Sequence, residues 1–200
     1  RRVLFRSITT PAGMTHQAIE DISIFRTIPN MTVIETGDAT EVESICNEVD
    51  KIEGPVYCRI LRGTVPRLFN TPLKIGDIRI LNQGNDIMLV TTGICTEEAL
   101  RARAAIASAG ISILHVHIHT LKPFKEKKIL DLISNVKFGV ITMENHLVNG
   151  GLGTIISEII SKHGLSKKLI KLGLNDTFAH GGSKQYLAKY YGFDAYALIN

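Results

Sequence analysis

The apolar residues of this chain alternate between two spacings along most of its length. Short runs rich in β-branched residues, such as residues 87–91 and 111–118, are separated by stretches in which apolar residues recur every three or four positions. The first pattern predicts buried strands, and the second predicts helices with one apolar face. Strands that alternate with helices are typical of βα units around a mainly parallel sheet. The sequence therefore predicts an α/β fold.

Helix caps and breakers place the individual elements. Asp38 is followed three residues later by Glu41, a pairing that favours a helix start, and Ser183 begins a short helix that ends at Gly192. Strands are predicted over residues 31–35, 56–61, 87–91, 111–118, 138–143 and 169–174. Longer helices are predicted over residues 17–28, 96–109 and 125–136, with two more that follow Asp38 and Gly151.

The apolar periodicity fades between about residues 69 and 86, where prolines and glycines interrupt it. Segments of this kind connect domains. We therefore expect one domain to end at residue 75 and a second domain to occupy residues 76–200.

The first residues carry a separate signal. Residues 2–7 read Arg-Val-Leu-Phe-Arg-Ser, which matches one reading frame of a common sequencing-adaptor oligonucleotide. We expect residues 1–7 to be a non-native leader, and residues 8–75 to begin in the middle of their domain.

Composition excludes several classes of function. The formal net charge is +4, and the basic residues are interspersed with acidic ones, which argues against a nucleic-acid or membrane partner. No apolar run approaches the length of a membrane-spanning helix. Cys46, Cys58 and Cys95 are far apart and lack CxxC spacing, so neither a disulfide framework nor a zinc site is indicated. These features predict a cytoplasmic protein.

Two further patterns have alternative interpretations. His115, His117 and His119 would share one face of a strand, as in a metal site, but we expect a structural or interface role for them. The NGGLG segment at residues 149–153 precedes a predicted helix, where backbone N–H groups can bind an anion. It lacks the lysine of a phosphate loop, so we expect tight packing of that helix instead.

Three stretches resemble the transketolase family. They are TTPAGMTHQAIEDISIFRTIPNMTVIETGDATE (residues 9–41), GPVYCRILRGTVPRL (residues 54–68), and HTLKPF followed by ITMENHLVNGGLGTII (residues 119–124 and 141–156). Their order and spacing also match, and the resemblance covers essentially everything after Ser7. It implies that residues 8–75 are the C-terminal portion of a pyrimidine-binding α/β domain and that residues 76–200 are a transketolase C-terminal α/β domain with a mainly parallel sheet.

The resemblance implies an activity that this chain cannot perform alone. Transketolases transfer a two-carbon ketol unit between sugar phosphates of the pentose phosphate type, using thiamine diphosphate and a divalent metal, Mg²⁺ or Ca²⁺. Their Gly-Asp-Gly motif for the diphosphate and metal lies in an N-terminal domain, and this sequence has no Gly-Asp-Gly. The resemblance therefore implies a partner: an N-terminal diphosphate-binding domain or subunit, in a homodimer or a two-plus-two assembly.

Two residues match the family's site. His16 corresponds to an active-site histidine near the cofactor and the sugar, and an imidazole can give and take protons near neutral pH. Arg62 corresponds to the arginine that binds the substrate phosphate, and its planar fork suits phosphate oxygens. Arg59 and Arg67 lie nearby and are alternatives for the phosphate contact. The resemblance assigns no cofactor-binding or metal-binding residue to this chain, and it gives Glu144, Asn145 and His146 an interface position.

The sequence departs from the family at the site. Ala12 stands where sugar-phosphate transketolases usually have an aspartate that contacts a donor hydroxyl, and Leu61 stands where many have a serine. A site that lacks a hydroxyl acceptor selects different substrates. The same motifs also fit deoxyxylulose-phosphate synthase, the beta subunit of 2-oxoacid dehydrogenases, or a non-catalytic α/β scaffold module.

Overall fold

Two β-sheets carry the fold, and helices cover their faces. The computed structural model describes the backbone of residues 2–4 and the whole of residues 12–60 and 63–200. The strands are β1 Arg2–Leu4, β2 Thr32–Glu35, β3 Val56–Arg59, β4 Ile78–Asn82, β5 Ile87–Thr91, β6 Ile113–Ile118, β7 Thr120–Lys122, β8 Gly139–Leu147 and β9 Lys168–Leu174. The helices are α1 Asp21–Thr27, α2 Ala39–Val49, α3 Cys95–Ser108, α4 Glu126–Asn135, α5 Leu152–Lys162, α6 Lys184–Tyr191 and α7 Ala195–Ile199, and a 3-10 helix spans Gly13–His16.

Most strand pairs are parallel. The first sheet has the order β1-β3-β2-β7, and the second has the order β4-β6-β5-β8-β9. Only the edge strands β7 and β4 run antiparallel to their neighbours among the described strands. The predicted α/β class with a mainly parallel sheet is confirmed.

The central strand β5 of the second sheet is buried on both faces. Successive side chains of a strand point to opposite sides, so Met88 and Val90 of β5 pack in one apolar cluster with Ile156 of α5. Leu89, between them, packs on the other side with Ala102 of α3. Burial on both faces explains why this strand reads in the sequence as a continuous apolar run.

The two sheets share one core. Ile22 and Val33, which precede the predicted junction, lie in the same apolar cluster as Ile118 and Leu121, which follow it. β7 extends the first sheet, and the N–H of Glu35 donates to the carbonyl of His119 over 2.8 Å. The predicted junction is therefore a change in sequence pattern, while the segments on its two sides interlock in space.

The predicted strands and helices are present, with ends shifted by up to four residues. The largest shift at a helix start is at α1, which begins at Asp21 instead of residue 17, because the carbonyls of Ala18 and Ile19 accept tertiary hydrogen bonds. Five short elements that no pattern predicted are β1, β4, β7, α7 and the 3-10 helix.

Two expectations fall partly or wholly outside the described residues. Of the expected leader, residues 2–4 pair in parallel with β3, and residues 1 and 5–7 lie outside the described residues. Arg62 also lies outside them. Among the helices that the structure describes, none has the length and apolar character needed to span a membrane.

Candidate active site

His16 ends a 3-10 turn and is exposed. The turn needs a left-handed backbone at Gly13, whose φ is +71°, and a Cβ there would lie 3.3 Å from the backbone nitrogen of Gly181. Thr15 Oγ1 lies 2.9 Å from His16 Nδ1 and 3.4 Å from the carbonyl oxygen of Ala12. Nε2 of His16 makes no hydrogen bond to any residue that the structure describes. Among the described residues, the imidazole is thus held through Nδ1 alone.

The chain that follows His16 is fixed by three separate elements. The Gln17 amide donates to the carbonyl of His180 over 3.3 Å, and Nη2 of Arg59 donates to the carbonyl of Ala18 over 2.6 Å. The N–H of Leu147 donates to the carbonyl of Ile19 over 2.9 Å. These bonds come from the loop before α6, from β3 and from β8. Together they hold an exposed histidine on a rigid base.

Beneath this turn, Arg59 forms a buried ionic network. The side chain of Arg59 is 1% exposed, with Nη1 2.5 Å from Glu35 Oε1 and Nε 3.2 Å from Asp21 Oδ2. It also donates to the side-chain and backbone oxygens of Asn145 over 2.8 and 3.0 Å. Burial opposes the charged form, but the Asp21 and Glu35 carboxylates outweigh it and raise the pKa of Arg59. Arg59, an alternative candidate for the phosphate contact, is thus buried within this network.

The three histidines of residues 115–119 do not converge on one point. His115 Nε2 lies 3.0 Å from Thr91 Oγ1, and His117 Nδ1 lies 2.7 Å from Thr96 Oγ1. His117 Nε2 contacts Glu41 Oε2 at 3.1 Å, and His119 bonds to the hydroxyl of its neighbour in β7. No group of three metal-binding side chains occurs among the residues described. Each imidazole has its own buried structural partner.

The glycine-rich turn before α5 binds an internal carboxylate. The N–H groups of Leu152 and Gly153 donate to the two oxygens of Glu144 over 2.7 and 2.8 Å. A Cβ on Gly151 would lie only 1.8 Å from Glu144 Oε2. Tight packing is confirmed, and these two N–H groups are already used. Burial raises the pKa of Glu144 to about 8, although the two hydrogen bonds act in the opposite direction.

The segment after Arg62 is anchored by Asp38. Its Oδ2 accepts from the N–H groups of Leu68 and Phe69, each over 2.9 Å, while Oδ1 caps α2. Arg67 forms a surface ion pair with Glu43 at 2.6 Å. Neither Arg59 nor Arg67 is therefore free, and the role predicted for Arg62 stays a prediction.

Comparisons with known proteins agree with this architecture. Residues 76–198 match the family of the transketolase C-terminal domain. The chain belongs to the transketolase family. A protein of Methanocaldococcus jannaschii named as a transketolase C-terminal section is 38% identical over 186 residues, which cover 91% of this chain and 58% of that protein. The 6-deoxy-6-sulfo-D-fructose transketolase subunit of Clostridium sp. is 35% identical over 190 residues, covering 94% of this chain and 58% of that one.

Another relative and two solved structures complete the comparison. The 1-deoxy-D-xylulose-5-phosphate synthase of Carboxydothermus hydrogenoformans is 31% identical over 183 residues, which cover 90% of this chain but 29% of the synthase. A split-gene transketolase, described as an inactive beta4 tetramer, superposes with a TM-score of 0.86 at 32% identity over 98% of this chain and 62% of that one. A Pichia stipitis transketolase variant shares the fold, with a TM-score of 0.77 at 20% identity, covering 97% of this chain and 28% of that one. The transketolase relatives are longer, and this chain spans 58% of the first of them.

Proposed function

We propose that this chain is the C-terminal section of a transketolase that moves a two-carbon ketol unit between sugar phosphates. The observation that carries the proposal is His16, an exposed imidazole whose Nε2 has no hydrogen-bond partner among the described residues. Three tertiary hydrogen bonds hold the segment that directly follows it. A family motif alone would not require that geometry. The proposed domain boundary between residues 75 and 76 is supported by the family match, which begins at residue 76.

The tautomer of His16 follows from its neighbours. If the Thr15 hydroxyl donates to the Ala12 carbonyl, its oxygen can accept a hydrogen bond only from a protonated Nδ1. Nε2 then carries the lone pair. In this tautomer His16 accepts a proton from a sugar hydroxyl and returns it later, as a general base and then a general acid.

Thiamine diphosphate is the cofactor that transketolase-like proteins generally use, and this chain fits one side of its site only. An exposed histidine suits the wall near the reacting sugar, but the sequence has no Gly-Asp-Gly. The described residues likewise offer no cluster of three metal ligands. When bound, the cofactor supplies the carbon nucleophile and the electron sink. We therefore assign the diphosphate and its Mg²⁺ or Ca²⁺ to an N-terminal partner domain or subunit, in a homodimer or a two-plus-two assembly in the cytoplasm.

The donor sugar is the open part of the proposal. Related subunits are named for 6-deoxy-6-sulfo-D-fructose and for apulose 4-phosphate, so this fold serves several ketoses. Ala12 offers no side-chain acceptor for a donor hydroxyl, while Arg62 is proposed to bind the phosphate. A second candidate is deoxyxylulose-phosphate synthesis, because a synthase of that kind is 31% identical.

The test is an assay of the assembled enzyme. The chain is coexpressed with its N-terminal partner section, and ketol transfer from a ketose phosphate is compared with condensation of pyruvate and glyceraldehyde 3-phosphate. Because His16 is exposed, His16→Ala should fold normally and lower kcat/KM about 10²- to 10⁴-fold, the usual contribution of a general acid–base group. His163→Ala, which removes a surface histidine paired with Glu126, should keep full activity. Undiminished turnover by His16→Ala would refute the role of His16. Activity with pyruvate and glyceraldehyde 3-phosphate, but not with the ketose phosphate, would favour the synthase.

A further inference from the structure

Arg59 reaches the chain just after His16 from the interior of the protein. Its Nη2 donates to the carbonyl of Ala18, two residues beyond the histidine, over 2.6 Å. We propose that Arg59 is a positioning residue for His16. Its contacts with both sheets fix the position of the segment that follows the imidazole. The proposal deepens the proposed function and rests on it where catalysis is concerned, but the positioning itself can be tested without catalysis.

The guanidinium of Arg59 is held by hydrogen bonds through both of its terminal nitrogens. Nη1 bonds to Glu35 and to the Asn145 side chain, and Nη2 bonds to Ala18 and to the Asn145 backbone. Nε lies 3.2 Å from Asp21 Oδ2. A planar fork with fixed donor directions can make these contacts together, whereas a lysine ammonium cannot reach them all. The Ala18 carbonyl is therefore fixed relative to strands β2, β3 and β8.

The partners of Arg59 extend this control to the surrounding elements. Asp21 is the first residue of α1, and the hydroxyl of Tyr57 donates to its Oδ2. Glu35 also accepts a hydrogen bond from Thr92 Oγ1 over 2.9 Å, which links it to the loop between β5 and α3. The network thus joins elements of both sheets at one cation. Movement of the second sheet relative to the first is expected to pull on the Ala18 carbonyl and so to move His16.

A purely structural role would have a different signature. Loss of a buried cation leaves the Asp21 and Glu35 carboxylates without compensation, which destabilises the whole fold. Such a loss would speed hydrogen exchange equally in the His16 turn and in the centre of the second sheet. A positioning role instead loosens residues 17–20 more than the centre of β5, and it changes the environment of the His16 ring.

The experiment compares Arg59→Lys with Arg101→Lys. Arg101 also pairs with two carboxylates, those of Glu97 and Glu98, but it lies on α3 and does not touch the turn. In the isolated chain, Arg59→Lys should speed amide exchange of residues 17–20 at least tenfold more than that of Val90 and shift the His16 Cε1–H resonance. Arg101→Lys should do neither. Equal acceleration at both places, or an unchanged His16 resonance, would overturn the proposal.

Steady-state kinetics of the assembled enzyme provide a second test. In the assembled enzyme Arg59→Lys should lower kcat about 10- to 100-fold, as expected for a displaced catalytic group, with KM changed less than about twofold. If Arg59→Lys does not fold, Asn145→Ala carries the same measurements, because it removes one contact to the guanidinium and keeps the cation. An inactive wild-type enzyme would count against the proposed function, while the exchange and resonance data would still decide whether Arg59 positions His16.

Discussion

The carboxylate of Asp38 is predicted to be worth more to stability than an ordinary helix cap. It is fully buried, and it accepts three backbone hydrogen bonds: from Glu41 at the start of α2, and from Leu68 and Phe69 in the segment after Arg62. Asp38→Ala removes both acceptor oxygens and therefore all three hydrogen bonds at once. The side chain that replaces it can satisfy none of these donors.

The magnitude follows from the three bonds. Loss of the cap costs about 1 kcal/mol. The buried N–H of Phe69 loses its acceptor, at about 1–3 kcal/mol, and the half-buried N–H of Leu68 adds about 0.5–1 kcal/mol. We expect Asp38→Ala to lower the free energy of unfolding by about 2.5–5 kcal/mol in total.

Urea unfolding measures this loss, with Ser183→Ala as the matched control. Ser183 caps α6 through a single, exposed hydrogen bond of 3.3 Å from Tyr186, so its removal should cost about 1 kcal/mol or less. Asp38→Asn keeps an oxygen for the cap but not for the two loop N–H groups, and should fall between the two. If Asp38→Ala and Ser183→Ala cost the same at equal m-values, the additive reasoning about Asp38 is wrong.

Two further predictions concern pH and substrate. Burial lowers the pKa of three interior imidazoles to about 3 or 4, namely those of His115, His119 and His146. Because the same side chains bind protons at a higher pH in the unfolded state, the free energy of unfolding should fall as the pH drops from 6.5 to 4. Glu144 has the opposite sign. Between its ordinary pKa of 4.5 and its raised pKa of about 8, the folded state keeps a proton that the unfolded state has lost, so this group lowers stability as the pH rises from 4.5 to 8. In urea titrations Glu144→Gln should remove this contribution, which is easiest to see above pH 6.5, where the three imidazoles no longer change stability. Arg62→Ala should raise KM for a phosphorylated acceptor about 10- to 100-fold, because it removes charge-assisted hydrogen bonds to the phosphate. Arg67→Ala should leave this KM unchanged in the same steady-state assay. The reverse result would assign the phosphate contact to Arg67.

Local patterns predicted the elements that local forces determine. The buried run at β5 and the Asp38 cap of α2 are present as predicted, because apolar spacing and capping depend on residues a few positions apart. The capping pair is only half as predicted: the Glu41 carboxylate accepts from Gly37, His117 and Arg79 instead of completing the cap. β7 has three residues and owes its existence to pairing with β2, which no local pattern reveals.

The sequence likewise predicts one part of the candidate site and not the other. A motif predicts His16 as a site residue, and the structure shows an exposed side chain there, while its role stays a prediction. The contacts of Arg59 were beyond reach, because its partners Glu35, Ala18 and Asn145 lie 24, 41 and 86 residues away in sequence. In addition, charged residues are seldom fully buried unless they are paired, so an arginine in a sequence is normally expected to be exposed.

The pairing of β7 with β2 determines what happens when the chain is cleaved between β3 and β4. The residues between β3 and β4 form the covalent link between the segments before and after them, yet Val33 and Ile34 are also joined to the later segment through backbone pairing with Lys122 and Thr120. A protease that nicked this link would leave two fragments bound as one folded particle, held by a shared ribbon and a common apolar interior. Separate expression of the two pieces would leave each with an unpaired strand edge, and mixing them is the natural route to a whole molecule.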